Sequence, residues 1–400
     1  MRMLRLAYAN LKEHFLSTIL SVMLLGIGVG MVSFIVTVSE QLNNRFNRDI
    51  RGIDMVVGAK GSPLQLILSA VYQIDNPTGN IPLAEVNKLK RHPLIKYSIP
   101  LSYGDSYQGF RIVGTDSLYL THYQAAFAEG ELWKHSMDVV IGSSVAEKLN
   151  LKLGAHFHGN HGFDKEGHAH EESHYNVVGI LMPTGTVADR LILTSTESVW
   201  DIHNHEESKL EHYHQSEQET GEITALLVKF KSPMGIMQIP RMVNEKTSMQ
   251  AALPAIEINR LYSLMGVGFT TLQIIGMVIM CIAALSVFIS LLNSLKERKY
   301  ELALMRSLGA SPFKLFGLII QESLLLCLAG YTLGIILGRV GIMLLSSLGE
   351  DQFQFSVSQS GIADIELWLL PLTLCIGLVA ALIPAIRAYR SDISSILRNE

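Results

Sequence analysis

The sequence predicts a membrane α-helical protein: four transmembrane helices, with an α+β extracytoplasmic domain between helices 1 and 2. Three observations carry this. Apolar runs near 15–38, 261–292, 313–345 and after 365 are each about long enough to cross a bilayer. Between the first two lie some 200 residues of mixed polarity with strand-like alternation. Positive charge gathers at the N-terminus, between runs two and three, and at the C-terminal tail.

The order of segments follows. Residues 1–51 form a basic cytoplasmic N-terminus, helix 1 and a stalk; 52–254 form the extracytoplasmic domain. Residues 255–295 form a stalk and helix 2, 296–312 a cytoplasmic helix, 313–346 helix 3, 347–364 a short outer loop, and 365–400 helix 4 with a tail. The outer loop and its borders carry Glu350, Asp351, Asp364 and Glu366 but no Lys or Arg, so the positive-inside rule places it outside. The first run lacks the short core and small-residue cleavage site of a secretory signal, so it reads as a retained span.

Composition excludes several functions. Net charge is −4, and no basic stripe suits nucleic acid. The three cysteines, Cys281, Cys327 and Cys375, all fall in spans, leaving the outer domain without disulfides or Cys-based zinc sites. Gly58-Ala-Lys-Gly-Ser62 is too short for a phosphate-binding G-x-x-x-x-G-K-[ST] loop, so ATP, where involved, belongs to another chain. The glycine-rich surroundings of the histidines give no rigid helix for an H-E-x-x-H zinc site, no Ser/His/Asp arrangement is evident, and a catalytic role is not expected.

Along the first stalk, Val38, Leu42, Phe46 and Ile50 repeat every four residues while Asn43, Arg45, Asn47 and Asp49 are expected to face away. Ser62-Pro63 is a helix-start signal. The helix it opens is apolar nearly all round, which fits burial in the outer domain or rest on the outer leaflet. A helix is expected at 83–91, then strands at 95–101, 107–113, 139–142, 175–181, 190–194 and 223–230. The second stalk and span, 256–292, could reach beyond about 50 Å at 1.5 Å per residue. Arg339 lies inside the third run; a lone charge there marks function or snorkels to the outer surface, and its position favours snorkelling.

The segment 296–312 is a charged helix between two spans. Gly309 can end it in a left-handed conformation, and Ser311-Pro312 opens the next helix. Tyr300, Leu304, Met305 and Leu308 share a face. The pattern fits a rigid bar that passes force along the membrane surface, or an ordinary positively charged loop. Glu297, Arg298, Glu301, Gly309, Ala310 and Glu322 match the helix and following span of the FtsX/MacB family of ABC-transporter permeases, which this stretch resembles. The ending Pro384-Ala-Ile-Arg387, Asp392 and Ile396-Leu-Arg398 is similar to that family's, and 139–193 is similar to its small β-rich outer domain.

The resemblance implies a permease subunit in a bacterial inner membrane. Two such subunits, identical or different, would pair with cytoplasmic ATPases that hold ATP and Mg²⁺, and would drive a periplasmic domain to export or release a substrate. A periplasmic adaptor or substrate-binding protein and membrane lipid are the other implied partners. Glu297, Arg298, Glu301 and Arg306 would be the polar contacts to the ATPase; Leu304, Met305 and Leu308 would seat the helix. The outer domain would comprise two subdomains, 52–118 with 222–250, and 119–221. An FtsX-like scaffold that activates an outer enzyme, and a zinc-sensing or metal-transport component, are alternatives.

Ten of the fourteen histidines lie between 156 and 214. They are His156, His158, His161, His168, His170, His174, His203, His205, His212 and His214. Imidazoles among carboxylates suit Zn²⁺, with Ni²⁺ or Cu²⁺ also served. Gly159, Gly162 and Gly167 suggest a pliant loop inserted between strands, which either binds metal in several loose sites or is simply solvated. The family resemblance does not supply these histidines, and the chain requires no cofactor of its own.

Overall fold

The computed structural model describes residues 2–161, 169–202, 221–353 and 364–390. The chain divides into two compact units, Met1–Leu42 with Leu264–Glu400, and Asn43–Ser263.

In chain order the elements are α1 (Arg2–Glu13), α2 (Phe15–Asp49), β1 (Met55–Ala59), α3 (Pro63–Ala70), β2 (Ile81–Pro82), α4 (Leu83–Lys90), β3 (Ile95–Tyr107), β4 (Phe110–Thr115) and α5 (Ser117–His122). Then come β5 (Phe127–Gly130), β6 (Asp138–Ile141), α6 (Ser143–Leu149), β7 (His156–His161), β8 (Ala169–Leu181), a 3-10 turn Val187–Arg190 and β9 (Ile192–Ser195). A helix α7 follows over 196–202. The rest are β10 (Glu222–Ile223), β11 (Ala225–Phe230), α8 (Met234–Lys246), β12 (Met249–Ala252), α9 (Pro254–Glu297), α10 (Lys299–Ser307), α11 (Pro312–Phe353) and α12 (Asp364–Tyr389).

Among the described residues, ten strands of the second unit form one mixed sheet in the order β12-β1-β11-β3-β4-β9-β6-β8-β5, with β7 on β3 and β8. The two expected subdomains therefore share a sheet. β4, from the first, pairs antiparallel with β3 and parallel with β9 of the second. Tyr107 ends β3 instead of starting β4, because Gln108 and Gly109 both take positive φ and make a two-residue turn. Burial is strongest in the central strands: β4 is buried at every position, as expected of a strand covered on both faces.

Ser62 caps α3 by accepting from the Gln65 N–H, with Pro63 in the first turn. Leu66, Ile67, Ser69 and Ala70 are buried, so α3 packs into the domain core beside Val56, Ile99 and Leu227. Arg111, itself buried, donates to the Gln73 side chain (3.0 Å) and the Asp75 carbonyl (2.8 Å), which fixes the turn after α3. Burial lowers its pKa.

Asp49 departs from expectation. It does not face away but is 1% exposed. Helical periodicity does put it off the Phe46–Ile50 stripe, yet the turn that starts at Val187 meets it there. Phe46 meanwhile packs edge-on against Tyr72 (4.8 Å) and Tyr262 (6.0 Å).

Among the described residues, four helices are long and apolar enough to cross a membrane: Phe15–Asp49, Pro254–Glu297, Pro312–Ser347 and Glu366–Tyr389. α2 and α11 approach closely along glycines. A Cβ at Gly30 would lie 2.8 Å from the Gly334 carbonyl, and one at Gly334 would lie 2.7 Å from Val29. Gly26 and Gly30 on α2 and Gly330, Gly334 and Gly338 on α11 repeat every four residues, the small-residue spacing that lets helices touch in lipid. α2 and α9 are joined by paired hydroxyls, Ser17 to Ser290 (2.8 Å) and Ser21 to Ser286 (3.0 Å). Arg339 has a definite partner: its guanidinium donates to buried Glu366 at 2.8 Å, where snorkelling alone was favoured. The tail residues Asp392, Ile396 and Arg398 lie outside the described residues.

Candidate functional site

The charged helix between the second and third long apolar helices is α10. Its C-terminus is closed as Gly309 suggested. Gly309 has φ +96° and donates to the Arg306 carbonyl, while Ala310 donates to Met305 at 2.9 Å, five residues back. This is the left-handed stop that glycine permits. Its N-terminus is not a smooth start. α9 ends at Glu297 and Arg298 breaks the helix at φ −103°, ψ 15°.

Arg298 is 7% exposed, so it does not present its charge outward as the sequence reading assigned. Its guanidinium turns into the bundle. It donates to the Asn10 carbonyl (2.9 Å) and to Glu13 (3.2 Å), and lies 3.5 Å from the Glu322 carboxylate. Asn10 also donates from its amide to Glu322, which is itself buried. The physical reason is mutual. Glu322 sits early in α11 where water is excluded, and a buried carboxylate requires a cation or donors. Beside it Glu297 meets His14 at 3.1 Å while keeping most of its side chain in solvent.

The faces of α10 sort differently from expectation. Leu302 and Ala303 are buried and Met305 is packed with them against Leu291, Leu315 and Ile319. Tyr300, Leu304 and Leu308 stand outward, 51%, 47% and 81% exposed. They lie at i, i+4 and i+8, one stripe of an α-helix, opposite the packed face. Glu301 is exposed and Arg306 half-buried. A cavity of about 190 Å³ opens beside the helix, lined by Leu6, Asn10, Arg298, Glu301, Leu304 and Glu322 among others. Sequence reasoning missed Asn10, Glu13 and His14. The available signal was the amphipathic character of α1, whose polar residues Asn10 and Glu13 lie three apart.

The second unit holds a matching polar joint at the end of α2. Asp49 accepts from the Val187 N–H at 3.0 Å, and Arg48 donates to the Gly185 carbonyl at 3.2 Å. Asp189 closes the same turn by accepting from Thr184 (2.8 Å) and Gly185 (2.7 Å). Burial, then the like charge of Arg45, push Arg190 down to about 10.

The histidines are placed as follows. Five of the six histidines of the first cluster lie on strands. His156, His158 and His161 belong to β7 and His170 and His174 to β8, an antiparallel hairpin in the register His156↔Asn176, Phe157↔Tyr175 and His158↔His174. Phe157 and Tyr175 are buried and stack at 5.5 Å, which supplies the apolar face a strand needs despite the polar sequence. The side chains of His161 and His170 lie outside the described set, as do His168, His203, His205, His212 and His214 entirely. Among the described residues no three His, Cys, Asp or Glu converge as a metal-ligand set.

Comparison with known proteins matches two family models: the MacB-like periplasmic core domain over residues 18–244 and the FtsX-like permease C-terminal region over residues 273–393. No curated protein sequence matches. Solved structures are similar as well, among them the following two. The periplasmic region of MacB from Actinobacillus actinomycetemcomitans is 13% identical with TM-score 0.33, covering 53% of this chain and 95% of that one. The extracellular domain of the noncanonic ABC-type transporter YknZ from Gram-positive bacteria is 15% identical with TM-score 0.31, covering 49% of this chain and 98% of that one. With a MacB-like core domain over more than half its length, four membrane-length helices and an FtsX-like C-terminal region, the chain belongs to the MacB/FtsX-type family of ABC-transporter permeases.

Proposed function

We propose that this permease couples ATP hydrolysis, carried out by a separate cytoplasmic ATPase with its ATP and Mg²⁺, to movement of its periplasmic domain for export or release of a substrate. It works as a dimer of permeases in the bacterial inner membrane, with both termini and α10 on the cytoplasmic side. The observation that supports this reading is α10 itself. It is a nine-residue helix with an outward apolar stripe, Tyr300, Leu304 and Leu308, on a root held by buried Arg298 and Glu322. Exposed leucines at a surface otherwise carrying Lys299, Glu301 and Arg306 suit a protein partner that buries them.

In this reading Leu304 and Leu308 enter the ATPase, and Glu301 with Arg306 sets the docking register. The ATPase pulls on α10, and the stiff buried root relays the displacement into α9, α11 and α1 instead of dissipating it. α2 and α9 are continuous helices that each carry residues of both units, so they relay motion by translation or tilt.

The test is co-purification and ATPase rate in reconstituted membranes for Leu304→Glu and Glu301→Lys. Leu304→Glu should lose the ATPase, and Glu301→Lys should lower coupled turnover with the permease still folded. Full coupling in both variants would remove α10 from the mechanism.

A further inference from the structure

The β7–β8 hairpin brings two histidines together that are sixteen residues apart in sequence. His158 and His174 are directly opposed in the antiparallel register, and their ring centres are 4.2 Å apart at 60°. Directly opposed residues share a face of the sheet. The neighbouring pair, Phe157 and Tyr175, points the other way into the core, where Phe157 also stacks on Tyr107 at 4.4 Å. The strands under the two imidazoles are therefore held in place by packing, with His174 exposed and His158 half-buried. His156 stands two positions along the same face and is exposed.

Two imidazoles bound to one ion at about 2.0–2.1 Å per bond place their ring centres roughly 4.5–5 Å apart. Rings at 4.2 Å need to part by less than about 1 Å, which side-chain rotation provides without moving either strand. We propose that His158 and His174 form a two-imidazole chelating site for a divalent transition metal, completed by water or a carboxylate-bearing ligand. Nitrogen donors of this kind rank Cu²⁺ above Ni²⁺ and Zn²⁺. Among the described residues no third side chain converges on the pair, so the proposed site has two protein ligands. Metal held here would pin the hairpin register, so it would also raise the stability of the domain that carries it. The proposal stands on the hairpin geometry and does not depend on the transport reading.

The test uses the full chain in detergent micelles, with Cu²⁺ as the probe. Wild type should bind one tight Cu²⁺ whose EPR spectrum carries coupling from two imidazole nitrogens. His158→Asn and His174→Asn should each weaken that site by at least about tenfold. A variant with His203, His205, His212 and His214 replaced by Asn should keep it. Without metal, amide-exchange protection at Phe157 and Tyr175 should be the same in every variant, which separates ligand loss from loss of the hairpin. A tight two-nitrogen site that persists in the His158→Asn/His174→Asn double variant overturns the proposal. So does its loss from the fourfold control, or wild-type affinity weaker than roughly 100 μM.

Discussion

The carboxylate of Asp49 accepts the backbone N–H of Val187 at 3.0 Å, and so joins the last turn of α2 to a 3-10 turn 138 residues further along the chain. Asp49 is buried, and the charges around it, Arg45, Arg48 and Arg190, are all basic. Removing the carboxylate strands a donor and leaves Asp189 as the acidic neighbour of Arg45 and Arg190. Asp49→Ala should raise amide exchange across 184–191 by roughly 5- to 150-fold, the equivalent of about 1–3 kcal/mol for an unsatisfied buried donor. Asp49→Asn, which keeps an acceptor oxygen, should raise it less. Unchanged exchange in Asp49→Ala would mean the turn is held by Asp189 alone.

At the root of α10 the pair Arg298 and Glu322 is buried on both sides. Breaking such a pair from one side leaves a charge without compensation and typically costs about 3–5 kcal/mol. Arg298→Met and Glu322→Met should each lower the thermal midpoint of the solubilised chain by several degrees. The double variant should recover much of the loss, because two apolar side chains can share the space without desolvating a charge. If the double variant is as unstable as the sum of the singles, the two residues act independently.

The α2–α11 contact admits no side chain at its centre. A Cβ at Gly30 would sit 2.8 Å from a backbone oxygen, which cannot rotate away. Gly30→Val should therefore separate the helices and sharply reduce folded yield, by over-packing that typically costs about 1–3 kcal/mol or more. Gly317→Ala, where nothing lies within 4 Å of the added atom, is the matched control on α11 and should be tolerated. Gel-filtration profile and midpoint in one detergent would compare them; equal behaviour would show that the glycine contact is dispensable.

His122 predicts a pH dependence. Its Nδ1 lies 3.1 Å from the Tyr97 hydroxyl, and burial, then the charge of Lys229, hold its pKa below the ordinary 6.5. The unfolded chain therefore takes up the proton more readily than the folded one. The stability this histidine contributes is fully present above about pH 6.5 and is lost as pH falls from there through its folded value. Wild type should lose more stability between pH 7 and pH 5 than His122→Asn, measured as the difference between their denaturant midpoints at each pH. Parallel curves for the two proteins would show that His122 does not contribute to acid sensitivity.

What the sequence determined by itself is what local chemistry decides. Run length and hydropathy set the four membrane-length helices, since each satisfies its backbone internally whatever its neighbours. Ser62-Pro63 set the start of α3 and Gly309 the end of α10, because caps act within a turn. The central strands were legible as short apolar, β-branched runs, and the family motif pointed to Glu322. The tertiary structure decided the rest. The His-rich first cluster became a hairpin because Phe157 and Tyr175 found Phe110 and Ile192 to pack on, which outweighs the loop-like composition around them. Arg298 turned inward because Glu322, 24 residues away, is buried and half-buried Asn10, 288 residues away, lies beside it within reach. Asp49 was buried by a turn that periodicity along its own helix could not reveal. A helical pattern says which residues share a face, but a buried charge is placed by the free energy of its distant partners, and those meet only once the chain has folded.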